Sequence, residues 1–207
     1  MKKEFIIERP SVAEVEKGLK QWRDDSGYEN YRRQEESVVM LFKEAYPRNT
    51  DLREVLIKVG VLNDFYGTNI FSVYPVARHI VDLKIDARLA DADLGVVDSV
   101  SRVNRDGKEI RYYSFASKYC SHHRPDVFPI YDRYVDRVLT YFKAEFYLSA
   151  NPDLKDYASF RNVILEFRKY YGLEKFTLRE LDLYLWVLGK KTFPPPPKKN
   201  KAQPENQ

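Results

Sequence analysis

Apolar residues recur at intervals of three and four along almost all of this 207-residue chain, the period at which side chains return to one face of an α-helix. A strand would need alternation at two. Glycine occurs only eight times, too sparsely for the many tight turns of a sandwich or barrel. The expected fold is all-α: one compact helical domain over residues 1–192, then a disordered Pro/Lys-rich tail over 193–207. In that tail four successive prolines open a run without the apolar surface that folding requires.

Start and stop signals divide the helices. Ser11 with Glu14 is a capping-box signature, and Val12, Val15, Leu19 and Trp22 follow at helical spacing, which predicts a first helix over 11–24. Tyr31, Val38, Leu41, Phe42 and Ala45 mark a second over 29–46, ended by Pro47. Asn49 or Thr50 can cap a third that carries Leu52, Val55, Leu56, Val59, Leu62 and Phe65 and stops at Gly67. Phe71 to Leu83 reads as a helix with Pro75 in its first turn, and Asp93 can cap another bearing Val96, Val97, Val100 and Val103. After a polar turn from Asn104 to Gly107, the residues Ile110, Tyr113, Ala116, Ser117 and Cys120 predict a helix, and His122 to Ile130 a loop. Helices over 131–147, 153–171 and 177–188 complete the set, the last capped by Thr177 with Glu180 and ended by Gly189.

Composition excludes some classes of function. No stretch approaches the roughly 20 apolar residues of a membrane-spanning helix, and the mean hydropathy is -0.57. A single cysteine, Cys120, leaves no internal disulfide, and no secretory leader opens the chain, so a reducing cytoplasm is the expected compartment. Lys198, Lys199 and Lys201 supply most of the formal charge of +4. The near-neutral body permits nucleic-acid binding through a local patch without requiring it. Glycine-rich phosphate loops and the HExxH, paired CxxC and GxSxG motifs are absent. Cys120, His122 and His123 at a helix end cannot all converge on one ion, so neither a metal nor a cofactor is expected. Asn63 and Tyr66 share a helix face and can hydrogen-bond either a base or nearby backbone.

The most informative stretch runs from Tyr113 to Val135, YSFASKYCSHHRPDVFPIYDRYV. A lysine-bearing helix, a loop with two prolines and an aspartate at the start of another helix follow one another. This succession resembles the helix-hairpin-helix DNA glycosylases, in particular the 8-oxoguanine branch, where a proline and an aliphatic residue lead to the catalytic aspartate. Pro129, Ile130 and Asp132 match that pattern. The resemblance implies a two-lobed helical fold with DNA in the cleft and Asp132 as a catalytic carboxylate. Such a group stabilises the cationic sugar as the base leaves and activates the attacking water. From composition alone, Asp132 reads equally well as a helix cap.

Bifunctional members of that family add a lysine that forms a Schiff base with the sugar. Here an ungapped count puts that position at Tyr113, and the nearest lysines are Lys108 and Lys118, of which Lys118 is the second catalytic candidate. The family's phosphate-gripping hairpin shrinks to Asp106-Gly107-Lys108, so Lys108, Arg111 and Tyr113 join Asn63 and Tyr66 as substrate-binding candidates, and Arg102 to Arg111 is the segment expected to meet DNA. The blocks LNDFYGTNIF, FASKYCSHHRPDVFPIYD and LDLYLWVLGK also resemble those of an uncharacterised bacterial family. Two functions remain open: a DNA glycosylase-like enzyme, or a non-catalytic helical module that binds nucleic acid or protein and uses Asp132 structurally. Asp132 in a cleft lined by Asn63, Tyr66 and Lys118 favours the first; Asp132 locked in a buried ion pair with no adjoining cavity favours the second.

Overall fold

The computed structural model describes residues 7–146 and 152–193, so the expected tail lies almost wholly outside the described residues. Within them the chain is helical, as the three-and-four spacing predicts, with ten α-helices and one two-stranded sheet. The first half holds α1 (Val12–Asp24), α2 (Glu29–Met40), α3 (Leu52–Tyr66), α4 (Val73–Asp82), α5 (Asp86–Ala90) and α6 (Gly95–Ser101). The antiparallel strands β1 (Arg102–Arg105) and β2 (Lys108–Arg111) follow, then α7 (Tyr113–His123), α8 (Arg133–Phe146), α9 (Tyr157–Tyr170) and α10 (Leu178–Thr192).

Local chemistry sets several boundaries. The Ser11 hydroxyl accepts from the Glu14 amide at the head of α1, and Thr177 and Glu180 form a complete capping box on α10. Gly67 closes α3 in the left-handed region. One continuous core joins the elements, with Val59, Leu62, Phe115, Tyr119, Phe128, Leu139, Phe160 and Leu185 all buried. Burying each such side chain stabilises by roughly 1.5–3 kcal/mol before ordering costs. Helix α10 packs against both α1 and α8, so the two ends of the described chain meet.

Some expected boundaries are corrected. The helix predicted through Val103 stops at Ser101, because Val103 pairs with Ile110 across the hairpin. Asp106 and Gly107 both take positive φ, the conformation a two-residue hairpin turn demands. The expected phosphate-gripping hairpin is thus a β-ribbon, and Ile110 belongs to β2, with the helix starting at Tyr113. Asp51, not Asn49 or Thr50, caps α3. The second helix changes at Leu41 to one π-type turn over Leu41–Ala45, and the short α5 was not foreseen. Helix α7 runs on to His123, α8 begins at Arg133, and α9 begins at Tyr157 behind an Asp156 cap.

Gly189 is a further correction. It sits inside α10 and does not end it. A Cβ there would lie 2.7 Å from the Tyr134 Cβ and 2.9 Å from its carbonyl oxygen, so the bare glycine lets α10 press against α8. Gly189→Ala should therefore destabilise the fold by about 1–3 kcal/mol despite alanine's better helix propensity. Urea unfolding checks this; an unchanged or raised midpoint would contradict the close contact.

Candidate functional site

Side chains from α1, α2, α3, α7, α8 and α10 enclose a cavity of about 480 Å³. That is within the range of sites that take small organic ligands. Its wall is aromatic, with Trp22, Tyr31, Phe65, Tyr134 and Trp186. Its polar floor carries Glu35, Lys118, Asp132, Arg179 and Asp182. The rings interlock edge to face: Trp186 stands 5.7 Å from Trp22 at 87° and 5.2 Å from Tyr31 at 65°.

The loop before α8 brings Asp132 to this cavity, where its Oδ1 accepts from the Tyr134 amide at 2.6 Å and the Val135 amide at 3.1 Å. Asp132 is therefore the N-cap of α8 and a cavity residue at once. Lys118, on the neighbouring α7, is only 4% exposed. Its Nζ donates to Ser114 Oγ at 2.7 Å and lies 3.4 Å from the Ser114 and Tyr131 carbonyls. Burial pushes its amine down to about 8, against the pull of the Asp132 charge. Tyr66 gives its phenol proton to Glu35 Oε2 at 2.7 Å and lies 2.9 Å from His122 Nε2. With that proton committed, His122 is the donor to the phenol oxygen. Burial holds His122 down to about 3, so the ring is neutral.

Arg179 pairs with Glu35 across the floor, joining α10 to α2. Burial raises the Glu35 carboxyl, but Arg179 and the Tyr66 hydroxyl outweigh it and leave the group below its ordinary value. Asp182, 3% exposed, accepts from the Ile130 amide through Oδ2 at 2.8 Å, tying α10 to the loop that carries Asp132. Its Oδ1 is buried without a partner among the described residues. Burial pushes this acid up to about 7. Ionisable groups gathered in one pocket at such cost are the pattern of a chemical site.

Of the residues proposed from sequence, the structure brings Tyr66, Lys118 and Asp132 to the cavity and places the others elsewhere. Asn63 clamps the turn after α3, with its amide bonded to the Ile70 N–H and C=O and to Thr68. Tyr113 is buried, donating to the Leu154 carbonyl and packing 4.6 Å from Tyr131. Arg111 is held by Asp98, the Lys155 carbonyl and the Tyr113 ring, and Lys108 is exposed on β2. Sequence reasoning missed Glu35, Arg179, Asp182 and Trp186. The signal was present on α10, where Arg179, Asp182, Leu183 and Trp186 recur at helical spacing as a polar and aromatic stripe beside the apolar one. Among the described residues no cluster of His, Cys, Asp and Glu is arranged to hold a metal ion, and no helix is long and apolar enough to cross a membrane.

A family model, HI_0787_N, described as an N-terminal domain, matches residues 14–127. The match includes Glu35, Tyr66 and Lys118 and stops short of Asp132 and α10. A Haemophilus influenzae protein described as uncharacterised is 46% identical over 149 residues, covering 70% of this chain and 71% of that relative. No solved structure matches the chain.

The raised Asp182 has a sign that can be checked. The folded state holds the proton up to about pH 7, whereas the unfolded acid releases it near 3.8. Stability is therefore lost as pH rises through that window. Asp182→Asn keeps an acceptor for Ile130 and removes the titration. Its stability relative to the wild type should rise by a few kcal/mol, at most about 4, between about pH 4 and pH 8. Urea unfolding at both pH values measures it, and a pH-independent difference would contradict the shift.

Proposed function

The chain belongs to the HI_0787_N N-terminal-domain family, whose description names no activity, and from the geometry of its cavity we propose that it is a divergent DNA glycosylase-like enzyme whose cavity receives a single unstacked base. The observation that carries this reading is the meeting of Lys118 and Asp132 on one aromatic-walled cavity. The rings offer faces to a planar heterocycle, and the volume suits one base rotated out of a duplex. In this reading the helices form the two-lobed arrangement of the helix-hairpin-helix glycosylases, with DNA lying across the mouth.

The reaction is hydrolysis of the bond between base nitrogen and deoxyribose C1′. As that bond breaks, its electron pair goes to the base, and Asp132 stabilises the positive charge growing on the sugar. Water adds to C1′ and yields its proton to Asp132, while Lys118 gives a proton to the departing base. Transfer from Asp132 back to Lys118 restores both groups. An amine held near 8 suits that exchange because it gains and loses its proton near neutral pH. Lys118 takes this part although it sits one turn inside α7 rather than at the helix start.

One observation favours the second reading, a non-catalytic binding module: both hydrogen bonds from the α8 amides go to Asp132 Oδ1, which is what a purely structural cap requires.

Asp132→Asn separates the two, since its amide oxygen can still cap α8. Base release from duplexes carrying assorted modified bases should fall about 100- to 10,000-fold while binding persists. Lys118→Gln should lower release and remove the fall in release expected as pH rises through about 8, where the donating amine loses its proton. Release unaffected by Asp132→Asn, or no release by the wild type from any duplex, would overturn the enzymatic reading.

A further inference from the structure

In the segment that the sequence offers as a phosphate-binding face the three arginines stand beside carboxylates, and Lys108 is exposed. Arg102 pairs with Asp98 and Glu109, Arg111 pairs with Asp98, and Arg105 lies 3.9 Å from Asp106. A phosphate there would have to take the place of a carboxylate already beside the guanidinium. The mouth of the cavity is different. Arg133 and Lys190 both line it, and neither is ion-paired among the described residues. Each cation instead rests on aromatic faces. The Arg133 guanidinium lies 5.2 Å from the Tyr134 ring centre. Lys190 Nζ lies 3.7 Å from that of Tyr31, 4.6 Å from Trp186 and 5.3 Å from Tyr28.

Such contacts stabilise by about 0.5–1 kcal/mol where solvent reaches them, weakly enough for a phosphate to draw the cation away. Two of the rings under Lys190, Tyr31 and Trp186, also belong to the wall against which a planar ligand would stack. Ammonium and heterocycle therefore compete for one aromatic surface. A ligand that brings an anion at the mouth together with a ring inside resolves that competition, because the anion takes the cation as the ring takes its place.

We propose that Arg133 and Lys190 form the phosphate clamp of this protein, gripping the nucleic-acid backbone on either side of the cavity, and that Lys190 occupies the aromatic wall until nucleic acid arrives. This rests on the cavity receiving a base but not on catalysis there. The clamp lies on α8 and α10, away from the ribbon that replaces the expected hairpin.

The test is the salt dependence of binding to a fluorescent duplex containing one 8-oxoguanine, with the full chain, between about 50 and 200 mM KCl. Each phosphate contact contributes roughly 0.7–0.9 to the slope of log affinity against log salt. Arg133→Gln with Lys190→Gln should lower that slope by about 1.4–1.8, and Arg102→Gln with Arg105→Gln should leave it unchanged. Trp186 fluorescence should change on binding in the wild type. Circular dichroism confirms that each variant is folded, and Lys190→Arg, which keeps the charge, should retain the slope. The clamp is overturned by an unchanged slope in the folded double variant, by a slope that falls only when the ribbon is substituted, or by a wild type that binds no duplex. A free mononucleotide that binds as tightly as the duplex, with the same salt dependence, overturns the nucleic-acid assignment. Salt-dependent binding through the clamp without base release leaves the clamp standing and removes the enzyme.

Discussion

The ion pair between Glu35 and Arg179 is the constraint on which the rest of this structure depends. It spans the cavity floor from α2 to α10, with both side chains only about one-fifth exposed (20% and 22%). Removing two charges from water costs several kcal/mol per ion, offset only where geometry and supporting hydrogen bonds are good. Here the support comes from Tyr66, which donates to Glu35 and meets His122 on α7. The pair thus joins the early helices to the last one through the site itself. A core without these charges would be more economical, and such charges gathered in one pocket mark it as a candidate site.

A second buried polar hub contrasts with the first. Asn49 Oδ1 accepts from Lys58, Tyr119 and His123, while its amide donates to Asp86. Lys58 is fully buried, with further bonds to the Tyr46 and Arg48 carbonyls. Burial lowers its amine to about 8, the value given for Lys118. The two lysines differ in surroundings. Lys58 is enclosed by backbone carbonyls and an amide that bind the loop before α3, whereas Lys118 faces the aromatic-walled cavity beside Asp132. A perturbed amine is thus no sign of function by itself, and geometry separates the lysine enclosed in the loop from the one that faces a cavity.

Much of the fold was legible because helix caps are local. Ser11 with Glu14 and Thr177 with Glu180 bring their partners within one turn, so sequence alone places the starts of α1 and α10. The ribbon was not legible for the opposite reason. Val103 follows Val100 at helical spacing, and only its pairing with Ile110 across a turn makes it a strand. Gly189 reads as a helix stop because nothing local announces that Tyr134 will press against it. In the site, Tyr66, Lys118 and Asp132 came from the residues around Asp132 and from a helix face. Glu35 lies on a largely polar helix where an acid resembles surface, and Asp182 among the apolar residues of α10 resembles an accident until its contact with Ile130 is seen.

The cavity holds the Lys118 amine buried and electrically coupled to Asp132. The most direct measurement is the titration of the Lys118 Cε methylene by NMR in the wild type and in Asp132→Asn. The account predicts a midpoint near 8 in the wild type, and a lower one in the variant, where the charge that raises it is gone. An ordinary lysine midpoint near about 10.4 that ignores Asp132→Asn would contradict it.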